Sequence, residues 1–169
     1  MTQDHALAVV WFLKSDAQGN MCAPENLGRC YEAGHGVMSD PSKAFTYYKS
    51  SAERGYLPGM IQLARCYANG IGVAKDVSKA IECYKAAFRR GDYSGNAALA
   101  YYFQHGEGVV RNEVEAFAYL SLAAADFPDA DTVLATDEVS AVNAQLASTP
   151  FVVVATQGRR DVQGLKAAL

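Results

Sequence analysis

A step of 36 residues runs through this chain and restricts what it can fold into. Gly34, Gly70 and Gly106 stand one step apart, as do Gly36, Gly72 and Gly108, and Val37, Val73 and Val109. Leu27, Leu63 and Leu99 keep the same register, as do Tyr31, Tyr67 and Phe103, and Ala44, Ala80 and Ala116. A unit this short cannot enclose a core alone, so it buries its apolar face against the next copy and the copies stack. Such a stack offers an extended surface to partners. The period therefore points to a binding scaffold before any catalytic residue is considered.

Each full copy reads as two helices and a glycine-containing loop. From about Pro24 to Ala33, Leu27, Cys30 and Tyr31 fall on one helical face. Gly34 then stops the helix, because a residue without Cβ enters the left-handed conformation at no steric cost. After the loop, Asp40 is suited to cap the second helix and Pro41 to open it, since its missing N–H has no helical partner anyway. Ala44, Tyr47, Tyr48 and Ser51 form the stripe of that helix, and Gly55 closes it. Asp76 and Asn112 repeat the cap, and Gly91 repeats the second stop; Phe127-Pro128 replaces it in the third copy.

Incomplete copies flank the three full ones. Ala8, Trp11, Phe12, Ser15 and Gly19 stand one step before Ala44, Tyr47, Tyr48, Ser51 and Gly55, so the chain opens on a lone second helix. The reading is one all-α domain over residues 1–169. It has a half-repeat helix at 4–19, full repeats at 20–55, 56–91 and 92–127, and divergent closing helices at 130–169, about nine helices in all. Thr149-Pro150 looks like the start of the last helix, which Gly158 and Gly164 weaken. The run Phe151 to Val154 alternatively fits a short strand.

The string Leu27-Gly28-x-x-Tyr31-x-x-Gly34-x-Gly36-Val37-x-x-Asp40-x-x-Lys43-Ala44-x-x-Tyr47-Tyr48 resembles the Sel-1-like repeat. The second copy, Leu63 to Tyr84, keeps nearly all of it. The third departs, with Ala100 for the helix glycine, Asn112 for the aspartate and Glu115 for the lysine. The resemblance covers residues 4 to 130. It implies a right-handed α/α superhelix of antiparallel helix pairs, a tetratricopeptide-like solenoid, and adaptor or scaffold roles without a cofactor. Some disulfide-rich members are linked to penicillin-type ligand binding or hydrolysis. This chain departs from them in lacking paired cysteines across each repeat junction. Its start on a second helix leaves a third reading, a repeat fragment of a larger multidomain protein.

Composition and motifs exclude several other classes. With 15 Lys and Arg against 18 Asp and Glu, the net charge of −3 gives no basic footprint for nucleic acid. The apolar run Ala6–Leu13 is far short of the ~20 residues that span a bilayer, and no cleavage site follows it. Cys30 and Cys66 share a repeat position, so helix spacing of ~8–10 Å keeps them too far apart for a disulfide. Four free thiols suit a reducing compartment, so a cytoplasmic location is expected, with export after loss of an upstream signal as the alternative. No Cys-x-x-Cys, Ser-x-x-Lys or Gly-x-x-x-x-Gly-Lys occurs. His105-Gly-Glu107 lacks the Pro-Cys-x-x-Cys that would complete a zinc-deaminase signature. No catalytic, cofactor or metal residue is assigned, and His5, His35 and His105 read as exposed or loop histidines.

A protein or peptide partner is expected on the concave wall, lined by the first helices as in tetratricopeptide repeats. The positions facing solvent there are Arg29, Glu32 and Ala33, then Arg65, Ala68 and Asn69, then Tyr101, Gln104 and His105. Arg29, Arg65 and Tyr101 recur one step apart as a ladder. The arginines are suited to fork onto carboxylates, and Asn69 and Gln104 to bond an extended backbone. The groove is therefore expected to favour an acidic or C-terminal segment.

Overall fold

In the computed structural model, which describes residues 4–126, the 36-residue step is a pair of helices and the loop between them. Seven helices and no strand occur among the described residues. The closing helices expected from 130–169, the Phe127-Pro128 stop and the Phe151–Val154 run all lie outside them. The chain divides into two units, Met1–Asp92 and Tyr93–Leu169. The first contains α1 (His5–Ala17), α2 (Ala23–Ala33), α3 (Pro41–Glu53), α4 (Leu57–Asn69) and α5 (Val77–Arg89). The second contains α6 (Asn96–His105) and α7 (Glu113–Asp126).

The helix ends follow from local chemistry. Gly34, Gly70 and Gly106 close α2, α4 and α6 in the left-handed conformation, with φ of 74°, 73° and 70°. The carboxylate of Asp40 accepts from the Lys43 N–H at 3.0 Å, and Asp76 accepts from Lys79 at the same distance. Each lysine also pairs with its aspartate and lies over the tyrosine that ends the preceding helix, Lys43 over Tyr31 and Lys79 over Tyr67. Asn112 keeps the cap, accepting from Val114 and Glu115, but the third copy loses the lysine arm with Glu115, which takes a bond from the Asn112 amide instead. Asp4 caps α1 through the Leu7 N–H at 3.0 Å and extends the series one step earlier.

Within the first unit each helix packs on its neighbours in order, and α2 also meets α4. Ala44, Tyr48 and Cys66 are fully buried together, with Tyr31, Phe45, Ile71 and Val73 packed around them. Stacking depends on bare backbone. A Cβ on Gly72, whose φ is +68°, would lie 2.0 Å from the Pro41 carbonyl oxygen, and one on Gly36 would lie 2.3 Å from His5. The loop glycine of one copy thus touches the start of the second helix of the copy before it. Gly28 gives the Tyr48 ring its space in the same way; a Cβ there would sit 2.5 Å from the ring.

A polar belt also joins successive copies. The Arg54 guanidinium donates to the Asn20 carbonyl at 3.3 Å and pairs with Asp16 at 2.7 Å. One step later, Arg90 donates to the Gly55 carbonyl at 2.8 Å. Ser51, fully buried, donates to the Met21 carbonyl at 3.1 Å. These bonds satisfy carbonyls left over where helices end. In the second unit, Leu99, Ala100 and Phe103 of α6 are buried, as are Ala116, Tyr119 and Leu122 of α7, and the Phe103 and Tyr119 rings stack at 5.8 Å.

Candidate functional site

Of the positions expected to face a partner, the first unit holds five besides Ala33, on α2 and α4. Arg29 is well exposed, with 68% of its side chain open to solvent, and Asn69 is exposed beside the α4 stop. Ala68 is buried. Glu32 and Arg65 are half-buried and meet: an Arg65 N–H donates to the Glu32 carboxylate. The same Glu32 oxygen accepts from the Tyr48 hydroxyl at 2.8 Å, and Arg65 Nε donates to Gln62 at 2.9 Å.

This cluster ties both helices of the first full copy to the first helix of the second. The Arg65 guanidinium, with help from the Tyr48 hydroxyl, holds the Glu32 carboxyl below the usual carboxylate range against the opposing effect of burial. Burial, reinforced by Glu32, pushes the Tyr48 hydroxyl far above its ordinary value. Arg65 is therefore committed to the protein's own carboxylate, while the Arg29 guanidinium reaches into solvent. Gln62 is not singled out by the sequence, and Tyr48 reads there as part of the apolar stripe of the second helix rather than as a partner of Glu32. The 36-residue step relates like positions and carries no information on contacts between unlike ones.

Arg29 lies 4.0 Å from Glu25 across one helical turn, and its charge also acts on Glu32. Glu25 is buried in the first turn of α2, and burial raises its pKa, with Arg29 partly opposing. For an acid whose folded pKa is raised, the associated stability is present below the unfolded value and lost as pH rises through the folded one. Glu25→Gln is therefore expected to stabilise the chain at pH 7 by roughly 1 kcal/mol. The gain should fade as pH falls to about 4, where the unfolded carboxyl takes up its proton. Thermal melts of both proteins from pH 3 to pH 8 check this.

In the second unit, Tyr101 and His105 are exposed on α6 and stack at 4.2 Å, and a His105 ring nitrogen lies 2.9 Å from the Tyr101 carbonyl. Gln104 is half-buried. His5 and His35, both exposed, stack on each other at 4.9 Å, joining the start of α1 to the first loop. Among the described residues no three His, Cys, Asp or Glu side chains converge as metal ligands.

All four cysteines are free. Only Cys66 is fully buried, and burial lifts its thiol to about 11; burial raises Cys30 and Cys83 as well. Such thiols stay protonated at neutral pH and are not poised as nucleophiles. No helix among the described residues is long and apolar enough to cross a membrane.

Helix pairs with glycine-stopped first helices, stacked through bare loop glycines, define an α/α repeat protein of the solenoid class. The chain belongs to the Sel1 repeat family, whose model matches residues 1–20, 25–56, 57–92 and 94–126. Among solved structures it is similar to c5321, a protective antigen present in uropathogenic Escherichia coli strains that displays an SLR fold. The TM-score is 0.68 and the identity 32%, over 70% of this chain and 26% of that one. It is also similar to a Sel1 repeat protein from Oxalobacter formigenes, with a TM-score of 0.66 and 28% identity over 70% of this chain and 49% of that one. The chain thus spans about a quarter and about half of these proteins. No curated protein matches the sequence. Sel1 repeats generally serve as protein-interaction scaffolds.

Proposed function

We propose that this chain is a non-catalytic adaptor and that its first unit takes an acidic or C-terminal segment of a protein partner along α2 and α4. The observation that carries the reading is the asymmetry of the two arginines. Arg65 is held by Glu32 and Gln62, whereas Arg29 projects into solvent with a long contact to the buried Glu25 carboxyl and a more distant pull on Glu32. A planar guanidinium of that kind forks onto a carboxylate with little further desolvation. Asn69, exposed at the end of α4, supplies a donor and an acceptor for the backbone of an extended peptide. Glu32 and Arg65 hold the two helices in place as a cross-brace. In the second unit, the exposed Tyr101–His105 stack and Gln104 provide a flat surface suited to an apolar or aromatic side chain.

Fluorescence anisotropy with a labelled Asp/Glu-rich peptide and its Asn/Gln counterpart tests the reading. The acidic peptide should bind the wild-type chain more tightly, and Arg29→Ala should weaken it about tenfold while leaving the neutral peptide unchanged. Equal binding of the two peptides, or no effect of Arg29→Ala, removes the acidic specificity.

A further inference from the structure

The outward half of α1 differs in kind from the same surface on α3 and α5. Leu7, Val10, Trp11 and Leu13 are 52%, 45%, 59% and 42% exposed on one side of a 13-residue helix. One step later the residues at the Leu7, Val10 and Leu13 positions are Lys43, Thr46 and Lys49, all exposed; two steps later they are Lys79, Glu82 and Lys85. The internal second helices therefore turn a polar surface outward where α1 turns an apolar one.

A missing repeat partner does not account for this. In the first full copy the first helix covers the position equivalent to Trp11, since Tyr31 stacks on Tyr47 at 5.4 Å, but it leaves Lys43, Thr46 and Lys49 in water. A further first helix placed on α1 in the same manner would cover Trp11 and leave Leu7, Val10 and Leu13 bare. The apolar face needs an occupant outside the repeat stack.

The charges on α1 are arranged for a second copy of the same helix. Asp16 points inward to Arg54, so the exposed charged groups beside the apolar face are Asp4 at its start and Lys14 in its last turn, whose ammonium lies over the Trp11 ring at 4.7 Å. An antiparallel pairing about a two-fold axis near Val9 sets Lys14 of each copy against Asp4 of the other, and Leu7 against Trp11. A parallel pairing sets like charges together. A surface that is complementary to itself under a two-fold rotation is what a symmetric dimer requires. Lys14 also meets the N-terminal, positive-dipole end through its carboxylate cap rather than through bare amides. We propose that α1 is a self-association surface through which two copies of this chain pair antiparallel, independently of the peptide site on α2 and α4. One helix face of this length buries less than the roughly 1,200 Å² of standard interfaces, so the dimer is weak and concentration-dependent.

Sedimentation equilibrium of the full chain under reducing conditions, from about 10 μM to about 1 mM, should show a mass rising from 18.1 kDa towards twice that value. Trp11 is the single tryptophan, so its emission should shift to shorter wavelength over the same range. The triple variant Leu7→Lys, Val10→Thr, Leu13→Lys carries the residues that α3 already tolerates at these positions. It should retain its helical circular dichroism and weaken association about a hundredfold. Lys14→Glu should weaken it about tenfold, and adding Asp4→Asn, which keeps the cap but removes the opposing charge, should restore part of the loss. A wild-type chain that stays at 18.1 kDa throughout overturns the proposal. So does a dimer that survives the triple variant, leaves the Trp11 emission unmoved, or is indifferent to Lys14→Glu.

Discussion

Gly72→Ala is expected to lower the stability of the chain by about 3 kcal/mol, far beyond an ordinary glycine-to-alanine change. Two costs combine. The backbone at Gly72 has φ of +68°, where a side chain is strained, and the added Cβ would lie 2.0 Å from the Pro41 carbonyl oxygen and 2.9 Å from the Ser42 Cα. The obstacle is backbone at the first turn of α3, fixed by the Asp40 cap, and it has no rotamer through which to move aside. Gly70→Ala separates the two costs. Its φ is +73°, but its nearest neighbours lie at 3.5 Å, ordinary contact, so it should lose only about 1 kcal/mol for the left-handed backbone. Urea denaturation of both variants measures the difference, which reports the close approach between copies. Gly36→Ala meets His5 by the same geometry and should loosen α1 before the rest of the unit.

These glycines show which parts of the molecule could be read from the chain. The stops at Gly34 and Gly70 and the caps at Asp40 and Asp76 were legible because a helix end is a local problem, solved by residues within a few positions of it. Gly36 and Gly72 were legible as turn glycines, but the neighbour that forbids a side chain there comes from the previous copy. The Arg54 and Arg90 belt carries a readable signal, since the two arginines stand one step apart, but the carbonyls they bond are set by the fold. A ladder through Arg29 and Arg65 requires that equivalent residues behave alike. Arg65 instead pairs with Glu32, one turn beyond Arg29 on the preceding first helix, and the two arginines become unlike groups, one structural and one open. The apolar face of α1 is legible only in part: the sequence shows a lone second helix carrying Trp11, whereas Leu7, Val10 and Leu13 stand out only against the polar residues at the same positions of α3 and α5.

Tyr48→Ala should be the most damaging single truncation in the first unit, at about 4 kcal/mol. The ring is fully buried against Gly28 and the cluster of Ala44 and Cys66, so its removal leaves a large cavity. Tyr48→Phe keeps the ring and removes only the 2.8 Å bond to Glu32, so it should cost about 1 to 2 kcal/mol, in the range for a hydrogen bond to a charged group. Glu32→Gln should cost a similar amount, since its amide oxygen still accepts from Tyr48 and Arg65 but without the charge, and the double variant less than the sum, because both changes weaken the same bond. The pH dependence identifies the carboxylate as the centre of the brace. Arg65, and then Tyr48, hold the folded pKa of Glu32 below its unfolded value. Its contribution is therefore present above the unfolded value, near 4.3, and lost as pH falls through the folded one. The gap between wild type and Glu32→Gln should be open at pH 7 and close in acid; that for Glu25→Gln also closes in acid but has the opposite sign, the variant being the more stable at pH 7. Arg65→Ala belongs with these variants rather than with Arg29→Ala. It leaves the half-buried Glu32 without its cation, so a loss of peptide binding in that variant would follow from a displaced α4 before it reported on a lost contact to the ligand.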